Sequence, residues 1–443
     1  MNIFIIILIL VILSGFACRE EPTKPPIAEF TLTAEDIGVT DIFFRVKATL
    51  SHGPFTLYVK RDGQQIYQSQ PTNLTTVDTL LYDDNLLPKQ NYTYKAYYTI
   101  GGIVQDSSAP MIITTMDTTS HDFSWKITYL GDGSSSMLYD VAIINDTLAY
   151  AVGEIYLRDS LGNWDPLPYN IVKWDGQQWE LKRVTVIFRG NLITPPIYCV
   201  YALSSTDIWF AAGMAIHGNG TNWVGYDVRA ITGYDTLSFT KCWGQNSSDI
   251  YFVGLRGSLA HYSNGTWRRI ETLTTLPIND IYGAENSTSG KWEILAVASN
   301  KYQMEGKKLL RIEGLNCNSF SDSGLSWSLS GLWFDPGRRY YVVGAGIHKK
   351  RSLDKDGVWQ VYPSGVITSY YSHAIRGNGI DDVWVGGSFG EIVHFNGYSW
   401  HNYTNELASP MVNILSIAVK NNLVVAVGDE SPKAVVIMGR RKM

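Results

Sequence analysis

Four histidines, His217, His261, His348 and His394, each end a short apolar segment, and imidazole side chains are common metal ligands. A metal site requires its ligands to converge on one ion. Because the histidines occur once per repeat of a recurring sequence unit, we expect them in separate repeats, too far apart to share an ion. We therefore interpret them as repeated packing residues, with no bound metal and no cofactor.

Aspartates recur in the same unit, at Asp207, Asp249 and Asp382, and we interpret them as turn or strand-start residues rather than catalytic carboxylates. The sequence contains no Walker loop, G-x-G-x-x-G, H-E-x-x-H or paired C-x-x-C motif. The 36 Lys and Arg against 41 Asp and Glu leave a net charge of −5, which argues against a nucleic-acid partner.

The composition favours an all-β protein. Of the 443 residues, 13% are aromatic, only 17% are charged and 40 are glycine, a mixture typical of many short strands joined by tight turns. The length corresponds to two or three domains, or to one domain and a large array of a single fold.

The residues from 120 to 443 contain an internal repeat. Each unit has an apolar strand, then D-I/V-aromatic ending in Gly, a short apolar strand often ending in His, and an N-G or D-G turn followed by Trp. The clearest copies are Asp207–Trp223, Asp249–Trp267 and Asp382–Trp400. Aligned on the glycine (alanine in the fourth copy), the units stand at positions 153, 213, 254, 298, 344, 386 and 428.

This spacing is that of four-stranded propeller blades, and it predicts seven of them. The N-G and D-G pairs predict two-residue turns between strands. The last copy ends one strand short, and Phe123–Tyr129 precedes the first copy as an unassigned strand, so we expect that strand to complete the seventh blade. The D-I-W-x-V-G…H-x-N-G-x-W pattern resembles secreted bacterial propellers of the BNR and YCF48-like kind.

Residues 28–117 predict a β-sandwich of about seven short strands, with a hairpin turn at Asp62-Gly63. Leu87-Pro88 through Tyr92-Thr93-Tyr94 resembles the L-P-x-x-x-Y-x-Y signature of fibronectin type III domains. The resemblance implies that the Tyr92 hydroxyl bonds to upstream backbone and that Phe43 or Phe44 replaces the family's tryptophan. We expect a spacer.

The N-terminus carries an apolar run from Ile3 to Leu13, too short to span a bilayer and of signal-peptide length. Ala17-Cys18 resembles the lipobox of bacterial lipoproteins, which implies a signal peptide over 1–17 and lipid attachment at Cys18. An ordinary secretory signal cut near Ala17 is the alternative. Residues 18–27 are charged and Pro-rich, as in a linker. The other cysteines are odd in number, which argues against a disulfide scaffold.

Loops that depart from the repeat are the candidate ligand-binding sites. They carry Tyr156, Arg158 and Trp164 in the first copy, Arg189 after it, and Tyr302 within Lys301–Glu305 of the fourth. Exposed Tyr, Trp and Arg are typical binding residues. Tolerated surface insertion is the alternative interpretation.

The turns at Tyr262–Trp267 and Asp354–Trp359 partly resemble the Asp box of sialidases, whose chemistry needs an arginine cluster, a tyrosine nucleophile and acidic partners. The sequence alone cannot show whether any three of the candidate arginines converge. These are Arg158, Arg189, Arg256, Arg338, Arg339 and Arg376. No catalytic residue is assigned.

The sequence therefore predicts a fibronectin type III-like β-sandwich followed by a seven-bladed β-propeller that is closed by an N-terminal outer strand. We expect a monomeric, non-catalytic, outer-membrane-anchored lipoprotein of the cell envelope, facing the surface or the periplasm. Its propeller would bind a protein or glycan partner. The alternative is a carbohydrate-active, sialidase-like or other glycoside hydrolase propeller.

Overall fold

A computed structural model describes residues 30–49, 54–287, 289–353, 358–407 and 411–442. The chain forms two compact units, Met1–Met116 and Asp117–Met443. The predicted signal peptide, Cys18 and the linker lie outside the described residues. Within the described ranges, no helix combines the length and apolarity that crossing a bilayer requires.

The first unit consists of two antiparallel sheets that share one apolar core. One sheet has the order β1-β2-β5, and the other has the order β4-β3-β6-β7 with β8 also paired to β6. The strands are β1 (Phe30–Ile37), β2 (Asp41–Thr49), β3 (Thr56–Arg61), β4 (Gln64–Gln68), β5 (Thr76–Asp84), β6 (Asn91–Ile100), β7 (Ile103–Ser107) and β8 (Met111–Thr114).

Residues of both sheets meet in this core. Phe44 and Tyr94 are fully buried, with ring centroids 5.5 Å apart. The turn at Asp62-Gly63 has positive φ at both residues, which confirms the hairpin prediction. The backbone N–H of Leu87 donates to the Tyr92 hydroxyl at 2.9 Å, so the expected bond from this tyrosine to upstream backbone is present.

The second unit contains, within the described residues, seven four-stranded antiparallel sheets, here called A to G in chain order. Strand β9 (Phe123–Leu130) precedes them. Sheet A contains β10 (Met137–Asn145), β11 (Leu148–Ile155), β12 (Tyr169–Trp174) and β13 (Trp179–Lys182). Sheet B contains β16 (Cys199–Ser204), β17 (Asp207–Ala211), β18 (Ala215–Gly218) and β19 (Trp223–Tyr226). Sheet C contains β20 (Phe239–Asn246), β21 (Asp249–Gly254), β22 (Leu259–Ser263) and β23 (Thr266–Arg269).

Sheets D to G continue the same order. Sheet D contains β24 (Ile278–Glu285), β25 (Trp292–Ser299), β26 (Lys307–Glu313) and β27 (Asn316–Phe320), and sheet E contains β28 (Leu329–Asp335), β29 (Arg339–Gly344), β30 (Gly346–Lys350) and β31 (Gln360–Tyr362). Sheet F contains β32 (Ser372–Gly379), β33 (Asp382–Gly387), β34 (Ile392–Phe395) and β35 (Trp400–Asn402). Sheet G contains β36 (Asn413–Lys420), β37 (Leu423–Glu430), β38 (Lys433–Arg441) and β9.

Short elements join the sheets. A hairpin of β14 (Val186–Phe188) and β15 (Asn191–Ile193) links sheets A and B. Helix α1 (Val228–Thr232) follows sheet B, helix α2 (Thr404–Leu407) follows sheet F, and 3₁₀ turns occupy Leu255–Gly257 and Ser388–Gly390.

The first strand of each sheet contacts the first strand of the next, and β36 returns to β10, so the sheets form a closed ring. An apolar cluster fills each junction between neighbouring sheets. At the junction of sheets C and D, for example, Trp243 packs with Ile281 and Ile294. The ring is thus held by sheet-to-sheet burial on both faces of every sheet.

Strand β9 pairs antiparallel with β38 along its whole length, from Phe123 opposite Arg441 to Leu130 opposite Ala434. The prediction that the segment before the first repeat completes the last sheet is confirmed. Trp125 lies opposite Gly439, and a side chain at position 439 would collide with the Trp125 indole. The indole also packs against the Tyr403 ring, with the centroids 4.9 Å apart.

Among the described N-G and D-G turns of the repeat, the predicted two-residue turn is correct at Asn264-Gly265, where Ser263 pairs directly with Thr266. The Asp356-Gly357 turn lies outside the described residues. In sheets A, B and F the turn has four residues. The side chains of Asp175, Asn219 and Asn396 accept bonds from backbone N–H groups two and three residues ahead, which stabilises the wider turn.

We expect Trp125→Ala to lower the free energy of unfolding of the ring by about 3 kcal/mol, because it removes a large ring from the closing strand. Denaturant unfolding measures the change. Trp164→Ala is the matched control, since that indole is 41% exposed and its loss should cost less than about 1 kcal/mol. Equal losses in the two variants would contradict a special role for the closing strand.

Candidate functional site

A cavity of about 480 Å³ opens at one end of the central channel. In six sheets the pairing of the first two strands shifts register near the start of the first strand, as at a β-bulge. The residues skipped in these shifts all line the cavity: Tyr139, Thr240, Asn279, Ser330, His373 and Leu415. Tyr198, immediately before β16, completes the set. Bulges re-aim side chains, and here each sheet directs one of them inward.

Two ion pairs cross the channel below these side chains. The Lys241 ammonium lies 3.0 Å from an Asp140 oxygen, which also accepts a 2.5 Å bond from the Ser416 hydroxyl. The other Asp140 oxygen accepts from the backbone N–H of Val200. Burial opposes ionisation of Asp140, but the Lys241 charge and these bonds outweigh it and lower the pKa of the carboxyl.

Asp280 and Arg376 form the second pair, with two parallel contacts of 2.8 and 2.9 Å. The carboxylate also accepts from the backbone N–H of Leu332, and the guanidinium donates to the carbonyls of Leu332 and Ile375. Burial would lower the pKa of Arg376, but Asp280 outweighs it and raises that pKa. Each carboxylate is therefore occupied by a cation and by a backbone N–H.

A second cavity of about 390 Å³ lies beyond the ion pairs, at the other end of the channel. Its lining includes five aromatic residues, Tyr201, Trp243, Tyr282, Trp292 and Trp333. Cys199 and Cys242 also line it; their sulfurs are 3.6 Å apart and both thiols are free. The odd cysteine count gave no sign of this juxtaposition.

Lys301 is a third cation at the first cavity, on the loop between the second and third strands of sheet D. Its ammonium has no hydrogen bond or ion pair with any residue that the structure describes. Burial among the cavity walls, followed by repulsion from Lys241, lowers the pKa of Lys301 to about 8. The side chain is nevertheless open to the solvent of the cavity.

Tyrosines form another wall. The rings of Tyr139 and Tyr198 are 5.2 Å apart. The Tyr139 hydroxyl donates to one oxygen of Glu154 at 3.3 Å, and the Tyr156 hydroxyl donates to the other at 3.0 Å. Tyr156, a predicted site residue, is therefore connected to the cavity wall through Glu154 without lining the cavity itself.

The face around this cavity, here called the cavity face, is built from the loops between second and third strands and from the connections between sheets. It exposes large apolar side chains. Leu273, Tyr302, Trp327 and Phe389 are 75%, 62%, 45% and 48% exposed, and all four have positive φ, between 50° and 62°. Non-glycine residues adopt this backbone region at a cost of about 1–2 kcal/mol each.

Neighbouring rings extend this apolar rim. Tyr302, a predicted site residue next to Lys301, contacts Tyr371 at 4.7 Å and His373 at 6.2 Å. Phe389 contacts Tyr370 at 4.6 Å. Among the predicted site residues, Tyr302 is thus the one that the structure places at the edge of the cavity.

The remaining predicted residues lie elsewhere on the ring. Arg158 stacks on Trp164 at 4.1 Å, within a loop of sheet A that pairs with itself. Arg189, at the turn of the β14–β15 hairpin, forms an ion pair with Asp227 at 2.6 Å. None of these three residues lines the cavity, and the loop that carries Arg189 is a paired hairpin rather than a plain linker.

Three of the repeated histidines behave alike. His217, His261 and His394 each bond to the aspartate of their own sheet, at 2.8, 2.6 and 2.9 Å. Each ring also stacks on the aromatic residue opposite it, at 4.0 to 4.2 Å. These contacts hold the second and third strands together within each sheet.

The prediction that His348 occupies the equivalent place is wrong. His348 lies opposite Val342, while Lys349 lies opposite Tyr341, so the histidine faces the other side of its sheet. It is fully buried, its Nε2 lies 3.1 Å from the Ser326 hydroxyl, and burial lowers its pKa to about 4. No cluster of three or more metal-ligating side chains occurs in the described ranges.

Of the six candidate arginines, only Arg376 lines either cavity. A converging cluster of three is therefore not formed at the channel by these residues.

No sequence family matches the chain, and no curated protein matches it. Its structure is similar to that of YCF48 bound to D1 peptide, with a TM-score of 0.52 and 15% identity over 72% of this chain and 95% of that one. YCF48 from Cyanidioschyzon merolae has a TM-score of 0.48 at 15% identity, over 72% and 98% of the two chains. The Dos1 propeller has a TM-score of 0.46 at 10% identity, over 71% and 95%. The second unit is a β-propeller.

We expect Arg376→Met alone to destabilise the propeller by about 3–5 kcal/mol, because Asp280 would remain buried with no cation beside it. The double variant Asp280→Asn with Arg376→Met should be more stable than Arg376→Met. Denaturant unfolding of the single and double variants measures this coupling. Additive losses would contradict the pairing.

Proposed function

We propose that the chain is a non-catalytic binding protein whose seven-bladed propeller docks a protein partner on the cavity face. The observation that carries the proposal is the set Leu273, Tyr302, Trp327 and Phe389, large apolar side chains that are exposed at positive φ. Backbone strain and exposed apolar side chains do not stabilise the isolated chain. Their occurrence together on one face therefore indicates that this face binds a partner.

The channel chemistry supports binding over catalysis. A glycosidase needs one carboxyl that is protonated at working pH and a second that is free to act. Asp140 and Asp280 are instead each held by a cation and by a backbone N–H. The neighbouring YCF48 structure contains a bound D1 peptide, which is consistent with peptide binding by a propeller of this kind.

We further propose that the chain is a monomeric lipoprotein of the outer membrane, anchored through Cys18. The first unit would be a fibronectin type III-like spacer, a proposal supported by its two sheets and by the Tyr92–Leu87 bond. The spacer would hold the propeller away from the bilayer.

Site-specific photo-crosslinking in the cells that express the protein tests the docking face. We expect p-benzoylphenylalanine at Tyr302 or Phe389 to capture the same protein. The same reagent at Ser248 or Asn421, in turns on the opposite face, should not capture it. Capture at the opposite face alone, or at neither face, would overturn the proposal.

Trp327→Gly supplies a matched test, because glycine tolerates positive φ and only the indole is lost. We expect crosslinking from Phe389 to fall at least tenfold without loss of thermal stability. Turnover of any glycoside in a hydrolase panel, abolished by changes at the cavity, would instead favour the carbohydrate-active alternative.

We expect Cys18→Ala to abolish palmitate labelling and to release the protein from the membrane fraction, because the acylated thiol would be missing. Cys317→Ala, which changes a buried thiol of the propeller, is the control and should leave both readouts unchanged. Labelling and membrane association that persist in Cys18→Ala would show that Cys18 is not the anchor.

A further inference from the structure

The cations of the central channel are not equivalent. Lys241 is paired with Asp140 and Arg376 with Asp280, at contacts of 3.0 and 2.8 Å. Lys301 has no such partner among the described residues, although it lies at the same cavity. Counting these five groups, the channel holds one positive charge in excess.

The loop that carries Lys301 is held in place rather than left free. The backbone N–H of Tyr302 donates to the Ser328 hydroxyl at 3.0 Å, and that hydroxyl also contacts the Tyr371 hydroxyl at 2.9 Å. Within the loop, the N–H of Gln303 donates to the carbonyl of Asn300 at 3.3 Å. The backbone that carries Lys301 is therefore anchored beside the cavity.

Uncharged polar groups and aromatic rings line the cavity that Lys301 reaches. Asn279, Asn300, Gln303 and the tyrosine pair of Tyr139 and Tyr198 line the same cavity. A cation that no described carboxylate pairs with, at a cavity lined by hydrogen-bonding groups, is a site for an anion, because an ion pair adds charge-assisted hydrogen bonds. The cavity is large enough, at about 480 Å³, to admit a side chain or a chain terminus from outside.

We propose that the docked partner inserts a carboxylate into this cavity, where it forms an ion pair with Lys301. The inference rests on the proposed docking function and names the chemistry at its centre. The apolar rim, including Tyr302 and Trp327, contacts the partner around the cavity, and the carboxylate occupies the cavity itself. An acidic side chain and a C-terminal carboxylate share this chemistry.

Acylation of Lys301 by the N-hydroxysuccinimide ester of acetic acid, measured by mass spectrometry in the intact protein, reads out its occupancy. Lys291, on an exposed turn of the same sheet at the opposite face, is the internal control. Because the pKa of Lys301 is about 8, it should be acylated faster than Lys291 at pH 7.5. The groups that act on this ammonium are Lys241, Asp280 and His373, with Asp140 and Arg376 behind them.

The probes are acetyl-Phe-Glu-amide, acetyl-Leu-Phe free acid and acetyl-Leu-Phe-amide. We expect the two acids to slow acylation of Lys301, but not of Lys291, at concentrations at least tenfold below those at which acetate does so. The amide should have no effect. Protection that weakens as the pH rises from 7 to 9 would agree with loss of the positive charge.

If acetate or inorganic phosphate protects Lys301 as well as the two peptide acids do, the cavity does not select a carboxylate from a protein partner and the proposal is overturned. Stronger protection by oligogalacturonate would assign the site to an acidic glycan and overturn the proposal. No protection by any probe would overturn it as well.

A variant series separates this inference from the docking function. We expect Lys301→Met to reduce crosslinking of the partner from Phe389 at least tenfold, Lys301→Arg to restore most of it, and Lys291→Met to leave it unchanged. If Lys301→Met leaves crosslinking intact while Trp327→Gly abolishes it, the docking face stands and the carboxylate inference fails.

Discussion

The pairing of β9 with β38 is the constraint on which the second unit depends. Each sheet of the ring buries both of its faces against neighbours, so no sheet can be stable with an exposed side. Without β9, sheet G would end on an unpaired edge beside sheet F, and Trp384 and Tyr403 would lose the rings of Phe123 and Trp125. One strand from the start of the unit therefore completes the burial of its end.

Closure also determines what the channel can contain. The first strands converge on a common axis, so that Asp140 and Asp280 are buried between them, where an unpaired charge is costly. Asp140 with Lys241 and Asp280 with Arg376 satisfy that requirement, each pair joining two sheets that are separated by one other sheet. These pairs connect sheet A to sheet C and sheet D to sheet F across the channel, and Lys301 has no ion-pair partner among the described residues.

Much of this architecture could be predicted from the sequence, because it depends on periodic patterns. The recurring glycine and tryptophan located the repeats, and the spare strand at Phe123–Tyr129 predicted closure. Local turn geometry was less accessible, since Asn219-Gly220 and Asn264-Gly265 look alike but form turns of different length. His348 shows the same limit, because a shift of one residue reverses the face of a strand without changing the pattern.

The cavity was harder to predict for a physical reason. Its six bulge positions and Tyr198 of sheet B carry residues of no common type, from Tyr139 and Asn279 to His373 and Leu415, so the sequence repeat that reveals the scaffold does not reveal the site. The loop at Lys301–Glu305 departs from the repeat and so predicts a candidate site, but residue type favours Tyr302 over Lys301, whose proposed role depends on having no partner among the described residues. Pairing is a property of three-dimensional position, and a linear pattern of charges does not contain it. In this closed ring the candidate site therefore lies at the cavity, to which every sheet contributes one inward side chain. At these equivalent positions the residue type differs from sheet to sheet.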